Sequence, residues 1–138
     1  MRTFEYKKLV RDKIAADVIR NGGKIKYIVL GQKKYILELK KKLLEEAQEL
    51  LKISSDNKIL AELADTQEII DNLLRSSGFS KHQLTLAQSE KNHSRGSFKK
   101  KHYIDSVQVP NDSEWVTYYL KHPKQYPEIK IWMCLWNG

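Results

Sequence analysis

The sequence predicts a mainly α protein, an antiparallel helix-hairpin bundle with a small β-ribbon. Residues 35–53 and 58–74 each carry apolar side chains at helical spacing, which gives each segment one apolar face. The polar break between them is about four residues long, and a connection that short favours two helices that fold back on each other. With 138 residues, the chain is long enough for a domain with its own core.

Two further helices are predicted on either side of the hairpin. Apolar residues at every fourth position indicate one helix near the N-terminus, and the glycine pair at 22–23 ends it because glycine accepts a left-handed backbone. The other helix begins after Ser80 and continues to about residue 93. Ser80 and Gln83 have the spacing of a capping box, which supports this start.

Two segments are predicted as short β-strands. Residues 24–30 alternate between apolar and lysine-rich positions, and the tyrosine and isoleucine within 98–107 indicate a partner for them. Together they predict the β-ribbon at the edge of the helical body.

The chain is predicted to divide near Pro110. Residues 1–109 form the main domain, and residues 110–138 form an aromatic tail that holds all three tryptophans. Apolar area on that scale is costly to leave in water, so the tail is expected to pack on the domain or on a neighbouring subunit.

Composition indicates a soluble cytoplasmic protein. Charged residues make up 30% and hydrophobic residues 41%, which argues against both a membrane protein and full disorder. The single cysteine, Cys134, cannot form an internal disulfide and suits a reducing compartment. The N-terminus lacks the apolar core of a signal peptide, and no apolar run is long enough to span a membrane.

The predicted hairpin carries two acidic clusters. At about 100° per residue, Glu46 and Glu49 project from neighbouring positions of one helix, as do Glu62 and Asp65 of the next. If the helices fold back, these carboxylates meet, repel one another and raise each other's pKa. Such a cluster is stable in its ionised form mainly when cations lie among the oxygens, which makes it a candidate metal site.

The ligand type predicts the metal. Neither acidic helix carries histidine or cysteine, so zinc and copper are poor matches, whereas an all-carboxylate site suits Mg²⁺, with Mn²⁺ as the alternative. Mg²⁺ in proteins usually shares its coordination with water and phosphate oxygens. Metal-assisted cleavage of a phosphoanhydride is the reaction class that follows.

Basic residues at two places are candidates for binding the phosphates. Lys91 and Arg95 lie one helical turn apart, and Gly96 allows the backbone to approach a ligand closely. Lys13, near the N-terminus, is a further candidate. For all three lysine and arginine side chains a solvated surface charge is the alternative interpretation.

The acidic spacing resembles a known family. Glu45-Glu46-x-x-Glu49 followed by Glu62-x-x-Asp65 is similar to the signature of the all-α nucleoside triphosphate pyrophosphohydrolases, the MazG-like superfamily. The segments KLVRDKI at 8–14 and RGSF at 95–98 resemble the branch that is similar to phosphoribosyl-ATP pyrophosphohydrolase. The resemblance covers about residues 7–104. It departs at Ala15, where that branch often has proline, and at Ser97, which replaces a glycine.

The resemblance implies a MazG-like four-helix core and a Mg²⁺-dependent hydrolase. The reaction would cleave a nucleoside triphosphate, or a related nucleotide, between the α and β phosphorus to give a monophosphate and pyrophosphate. In this family the site is usually completed by subunit association, so a homodimer or higher homo-oligomer is expected. The implied metal ligands are Glu46, Glu49, Glu62 and Asp65, the implied catalytic residues are Glu45 and Glu49, and Asn72 is implied to face the nucleotide.

Two other functions stay open from the sequence. The formal net charge of +8 would also suit a non-catalytic basic module that binds RNA or a protein partner, its acids serving only in salt bridges such as Lys42 with Glu46. Nucleic acid is the less expected partner, because no ordered aromatic platform or nucleic-acid motif is visible. A regulatory domain that binds nucleotide without turnover is the third alternative, and the full set of acids argues against it.

Overall fold

The computed structural model describes residues 1–129, and that part of the chain is mainly helical, as predicted. None of its helices is long and apolar enough to cross a membrane. Five α-helices and one short 3₁₀ helix follow one another along the chain. They are α1 (Lys13–Arg20), α2 (Gln32–Leu50), α3 (Asp56–Ser76), α4 (Lys81–Arg95), the 3₁₀ turn Phe98–Lys100 and α5 (Glu114–Lys121).

Helices α2 and α3 form the antiparallel hairpin that the sequence predicts, and they are the closely packed helix pair of the described chain. The start of α2 lies beside the end of α3, where the Gln32 side-chain amide donates to the carbonyl oxygen of Ser76 at 2.7 Å. One turn further in, the Tyr35 hydroxyl donates to Asn72 Oδ1 at 3.2 Å. The connection, residues 51–55, is short enough to require this reversal.

The core between the two helices is small. Leu39 of α2 and Ile69 of α3 are the buried apolar side chains of the described residues, 3% and 6% exposed, because two helices can shield only the stripe where they touch. Many other large apolar side chains stay exposed, among them Leu37, Leu44 and Leu51 of the α2 region. The hairpin therefore has apolar surface that it does not bury against itself.

Local signals place the helix ends well. Ser80 and Gln83 form the predicted capping box at the start of α4, with the Gln83 backbone N–H donating to Ser80 Oγ at 3.2 Å and the Ser80 N–H donating to Gln83 Oε1 at 2.9 Å. Gly22 follows α1 with φ of +78°, and Gly78 follows α3 with φ of +77°. Both glycines thus supply the left-handed turn that other residues adopt at a cost.

The predicted β-ribbon is wrong. Neither 24–30 nor 98–107 forms a strand in the described chain, and the second segment opens with the 3₁₀ turn Phe98–Lys100. A strand needs a partner that completes its backbone hydrogen bonds. Alternation at 24–30 signals only that one face could be buried, and no described segment pairs with it.

The chain separates into two compact units, residues 1–96 and 97–138, so the division predicted after residue 109 falls inside the second unit. In that unit, aromatic rings of α5 and the turn after it pack on one another. Trp115 stacks on Tyr119 at 6.0 Å between centroids, and Tyr119 meets Tyr126 at 5.0 Å. Trp132 and Trp136, the other tryptophans of the predicted tail, lie outside the described residues.

Replacing Leu39 by alanine is expected to destabilise the protein by about 2–5 kcal/mol, since it opens a cavity in a core with few other apolar side chains. Urea unfolding followed by circular dichroism measures the change. Leu60→Ala, on α3 at a side chain that is 70% exposed, is the control and should cost less than about 1 kcal/mol. Equal losses in the two variants would contradict the position of the core.

Candidate metal centre

Three of the predicted acidic side chains converge between α2 and α3. One carboxylate oxygen from each of Glu46, Glu49 and Glu62 lies within 4.8 Å of the other two. Glu46 and Glu49 are one turn apart on α2, and the antiparallel packing brings Glu62 of α3 opposite them. The hairpin therefore places oxygen donors from both helices around one point.

Glu46 is the buried member of this carboxylate cluster. It is 3% exposed and is the buried charged residue of the described chain, so its carboxylate requires a partner. Lys42, one turn earlier on α2, supplies one through its Nζ at 2.7 Å from Glu46 Oε1. Burial alone would lower the pKa of Lys42, but its bonds to Glu46 and Glu45 outweigh that effect and the pKa is raised.

Glu62 is the member whose charge is least compensated. Its Oε2 is buried without a hydrogen-bond partner among the described residues. The pKa of Glu62 is raised, first by its proximity to Glu46, with which it can bond only by sharing a proton, then by burial and by the charge of Glu49. A proton or a cation would relieve this arrangement.

Asp65, the fourth predicted ligand, lies elsewhere. Its Oδ1 pairs with the Arg11 guanidinium of the segment that precedes α1, and Asp65 is not part of the three-glutamate group. The two residues are 54 positions apart in the sequence, so the tertiary fold creates this contact. Asp65 nevertheless lies close enough to contribute to the raised pKa of Glu62.

Glu45, expected to be catalytic, also pairs with a cation. Lys8 Nζ donates to Glu45 Oε1 at 2.9 Å, and Lys42 Nζ lies 3.4 Å from the same oxygen. The hydrogen bond from Lys8 is the main cause of the lowered pKa of Glu45. Glu45 belongs to the wall of a cleft of about 190 Å³, which is lined by Lys7, Lys8, Leu9, Glu38, Lys41, Lys42 and Glu45.

The other predicted substrate-binding residues do not join the cluster. The Asn72 side chain donates to the carbonyl and carboxylate oxygens of Glu68, each at 2.8 Å, and accepts from Tyr35, so it ties the hairpin together. Lys13, Lys91 and Arg95 are exposed and make no ion pair within the described residues. Lys91 and Arg95 lie on α4.

The donor set of the carboxylate cluster fits a hard divalent cation. It consists of carboxylate oxygens only, and a buried oxygen of Glu62 has no other donor to satisfy it. Mg²⁺ and Mn²⁺ prefer such ligands, and three carboxylates leave room for water and substrate oxygens.

Sequence reasoning missed the cations that contact the acids. Lys8 and Arg11 were not among the predicted site residues, yet each pairs with a carboxylate of the hairpin. Their spacing of three residues beside half-buried Leu9 and Val10 was the available signal, since it indicates that the segment lies against the protein. Which acids they would meet depended on the tertiary structure.

Comparisons with known proteins add no family. A scan against protein-family models, a search of curated proteins and a search of solved structures each gave no match to this chain. A helical hairpin occurs in proteins with many functions, so the fold alone does not assign one. The function therefore has to be argued from the cluster and its surroundings.

Replacing Glu62 by glutamine is expected to raise the free energy of unfolding of the metal-free protein at neutral pH. Because its pKa is raised in the folded state, folding holds a proton on Glu62, and the associated stability is lost as pH rises from the ordinary value of 4.5 through the raised value. Glutamine cannot ionise, so the variant does not lose this stability as pH rises. The gain should therefore be small below pH 4.5 and complete above the raised pKa.

Urea unfolding at a series of pH values, with a chelator present, measures this difference. Glu90→Gln, which neutralises an exposed acid on α4, is the matched control and should show no comparable gain. A Glu62→Gln effect that is the same at acidic and neutral pH would contradict the repulsion within the cluster.

Proposed function

We propose that this protein is a Mg²⁺-dependent nucleotide pyrophosphohydrolase, cleaving a nucleoside triphosphate or a related nucleotide between the α and β phosphorus. The observation that carries the proposal is the convergence of Glu46, Glu49 and Glu62 from two helices. Repulsion makes such an arrangement costly unless it binds a cation. The resemblance of Glu45-Glu46-x-x-Glu49 and Glu62-x-x-Asp65 to the signature of the MazG-like superfamily is the basis for the proposed reaction.

Each acid has a role in this proposal. Glu46, Glu49 and Glu62 would hold the ion, whose contribution is to neutralise phosphate charge and to acidify water. Glu49, the exposed member, would accept the proton of the attacking water. The water oxygen bonds to phosphorus, the bridging P–O bond breaks and pyrophosphate leaves. Glu45 would help to orient that water.

The alternative of a non-catalytic basic module accounts less well for the structure. Such a module would use lysine and arginine at its surface and would have no need for carboxylates that face one another. Here the acids occupy the interface of the two best-packed helices, and Glu46 is buried there. The carboxylate cluster thus favours a metal-binding protein over a basic module whose acids only form surface salt bridges.

We also propose that the protein is a homodimer or higher homo-oligomer. Leu37, Leu44 and Leu51 are 51%, 61% and 88% exposed, and their spacing of seven places them along one face of α2. Two helices do not shield these side chains, whereas a second copy of the hairpin would. A four-helix core would then form from two hairpins.

Glu49→Gln tests the metal centre and the reaction together. This exposed glutamate forms no ion pair within residues 1–129, so its replacement should leave the fold intact. Mg²⁺ at 100 times its Kd should stabilise the wild type by about 2.7 kcal/mol and so raise its melting temperature. The melting temperature of the variant should rise much less. Hydrolysis should fall by a factor on the order of 10² or more.

The assay follows a panel of nucleoside triphosphates with Mg²⁺ and separates pyrophosphate from orthophosphate. Glu90→Gln is again the control, with unchanged Mg²⁺ stabilisation and turnover expected. Release of orthophosphate in place of pyrophosphate would refute the proposed reaction. Equal Mg²⁺ stabilisation of the wild type and Glu49→Gln would refute the proposed ligands.

Leu44→Glu tests the association. A charge in the middle of the exposed α2 stripe should oppose contact with a second copy and reduce the molecular mass measured by light scattering or sedimentation. Ile28→Glu, at a side chain that is 70% exposed outside the helices, is the control and should leave the mass unchanged. A wild-type mass of one chain would show that the stripe is not used for self-association.

A further inference from the structure

The basic segment before α1 lies across the acidic face of the hairpin. Lys8 bonds to Glu45 of α2 at 2.9 Å, and three residues later Arg11 pairs with Asp65 of α3. This part of the chain has no helix or strand of its own. The two ion pairs thus attach it to both helices, beside half-buried Leu9 and Val10.

Lys8 and Arg11 can exchange their carboxylate partners for other anions. The side chains of Lys8 and Arg11 are 55% and 61% exposed. Ion pairs at that exposure contribute about 0–1 kcal/mol and weaken with salt. Other anions can therefore compete for the two cations without unfolding the protein. By contrast, Lys42 is held against buried Glu46 and is not free to leave it.

The surroundings favour an anion with several oxygens. The cleft of about 190 Å³ beside Glu45 is lined by four lysines, Lys7, Lys8, Lys41 and Lys42, and by two glutamates. Each of these lysines pairs with a glutamate in the ligand-free protein. A guanidinium has a planar fork of donors that matches two oxygens of one phosphate, and an ammonium acts as a compact charge. Arg11 pairs with Asp65 of α3, whereas the cleft includes Glu45 of α2. Lys42, which lines the cleft, bonds to Glu46 of the carboxylate cluster.

We propose that Lys8 and Arg11 are substrate-binding residues that change partners: they bind Glu45 and Asp65 in the metal-free protein and the phosphate oxygens of the substrate once Mg²⁺ is bound. This inference rests on the proposed function. In the first state the two cations offset the excess of carboxylates. In the second state Asp65 is released to the centre, and both cations face the phosphate chain.

The exchange predicts effects of opposite sign on two ligands. Removing the charge of Arg11 frees Asp65 from a competing cation, so Mg²⁺ alone should bind more tightly, by about two- to fivefold, the value of one exposed ion pair. The same change removes a phosphate contact, so pyrophosphate in excess Mg²⁺ should bind more weakly, by about tenfold or more. A misfolded variant would lose affinity for both.

Isothermal titration calorimetry of the full chain measures both affinities for the wild type, Arg11→Gln and Lys8→Gln. Arg20→Gln is the matched control, because Arg20 pairs only with Asp17 inside α1 and its replacement makes the same change in net charge. Arg11→Lys keeps the positive charge but loses the planar guanidinium that can donate to two oxygens of one phosphate. Its affinity for pyrophosphate should therefore lie between those of the wild type and Arg11→Gln.

The outcomes separate this inference from the proposed function. If the wild type binds Mg²⁺ and Glu49→Gln abolishes that binding, but Arg11→Gln matches Arg20→Gln for both ligands, Arg11 is only a surface ion pair and the inference is overturned. The inference is also overturned if Arg11→Gln and Lys8→Gln weaken Mg²⁺ and pyrophosphate binding alike. Absence of Mg²⁺ binding by the wild type would overturn both proposals.

Discussion

The repulsion among carboxylates at the interface of α2 and α3 is the constraint on which the rest of this structure depends. Glu46 is 3% exposed and faces Glu62, whose buried oxygen has no hydrogen-bond partner in the described chain. Charges in such surroundings must be paired, protonated or shared with a cation. Lys42 compensates Glu46 from the same helix, and the remainder of the negative charge is left to a proton or an ion.

The basic residues take their positions from this acidic face. The formal net charge is +8, but the lysines and arginines are not spread evenly over a neutral body. Lys8 pairs with Glu45 and Arg11 pairs with Asp65. Further lysines line the cleft next to Glu45. Basic residues thus lie beside the acids of the hairpin, an arrangement that suits the proposed binding of a metal ion and a polyphosphate.

Packing explains why two helices alone form only a small core. Leu39 and Ile69 alone are buried among the apolar side chains of residues 1–129, so the hairpin excludes little water. Most helical stability in proteins comes from burying an apolar face. A second hairpin against the exposed leucines of α2 would enlarge this core and fix the helices that hold the glutamates. The proposed association and the proposed metal binding would be linked in this way, since both act on the same two helices.

The sequence by itself determined α1 to α4, their main boundaries and the residues available for the site, whereas α5 was not predicted. Helical periodicity, the capping box at Ser80 and the turn glycines are local properties, so they could be predicted without a fold. The β-ribbon failed because a strand depends on a distant partner. Tertiary structure decided that Glu46, Glu49 and Glu62 converge whereas Asp65 pairs with Arg11. That choice follows from where the segment before α1 crosses the hairpin, because contacts between residues far apart in sequence are set by packing and not by spacing along the chain.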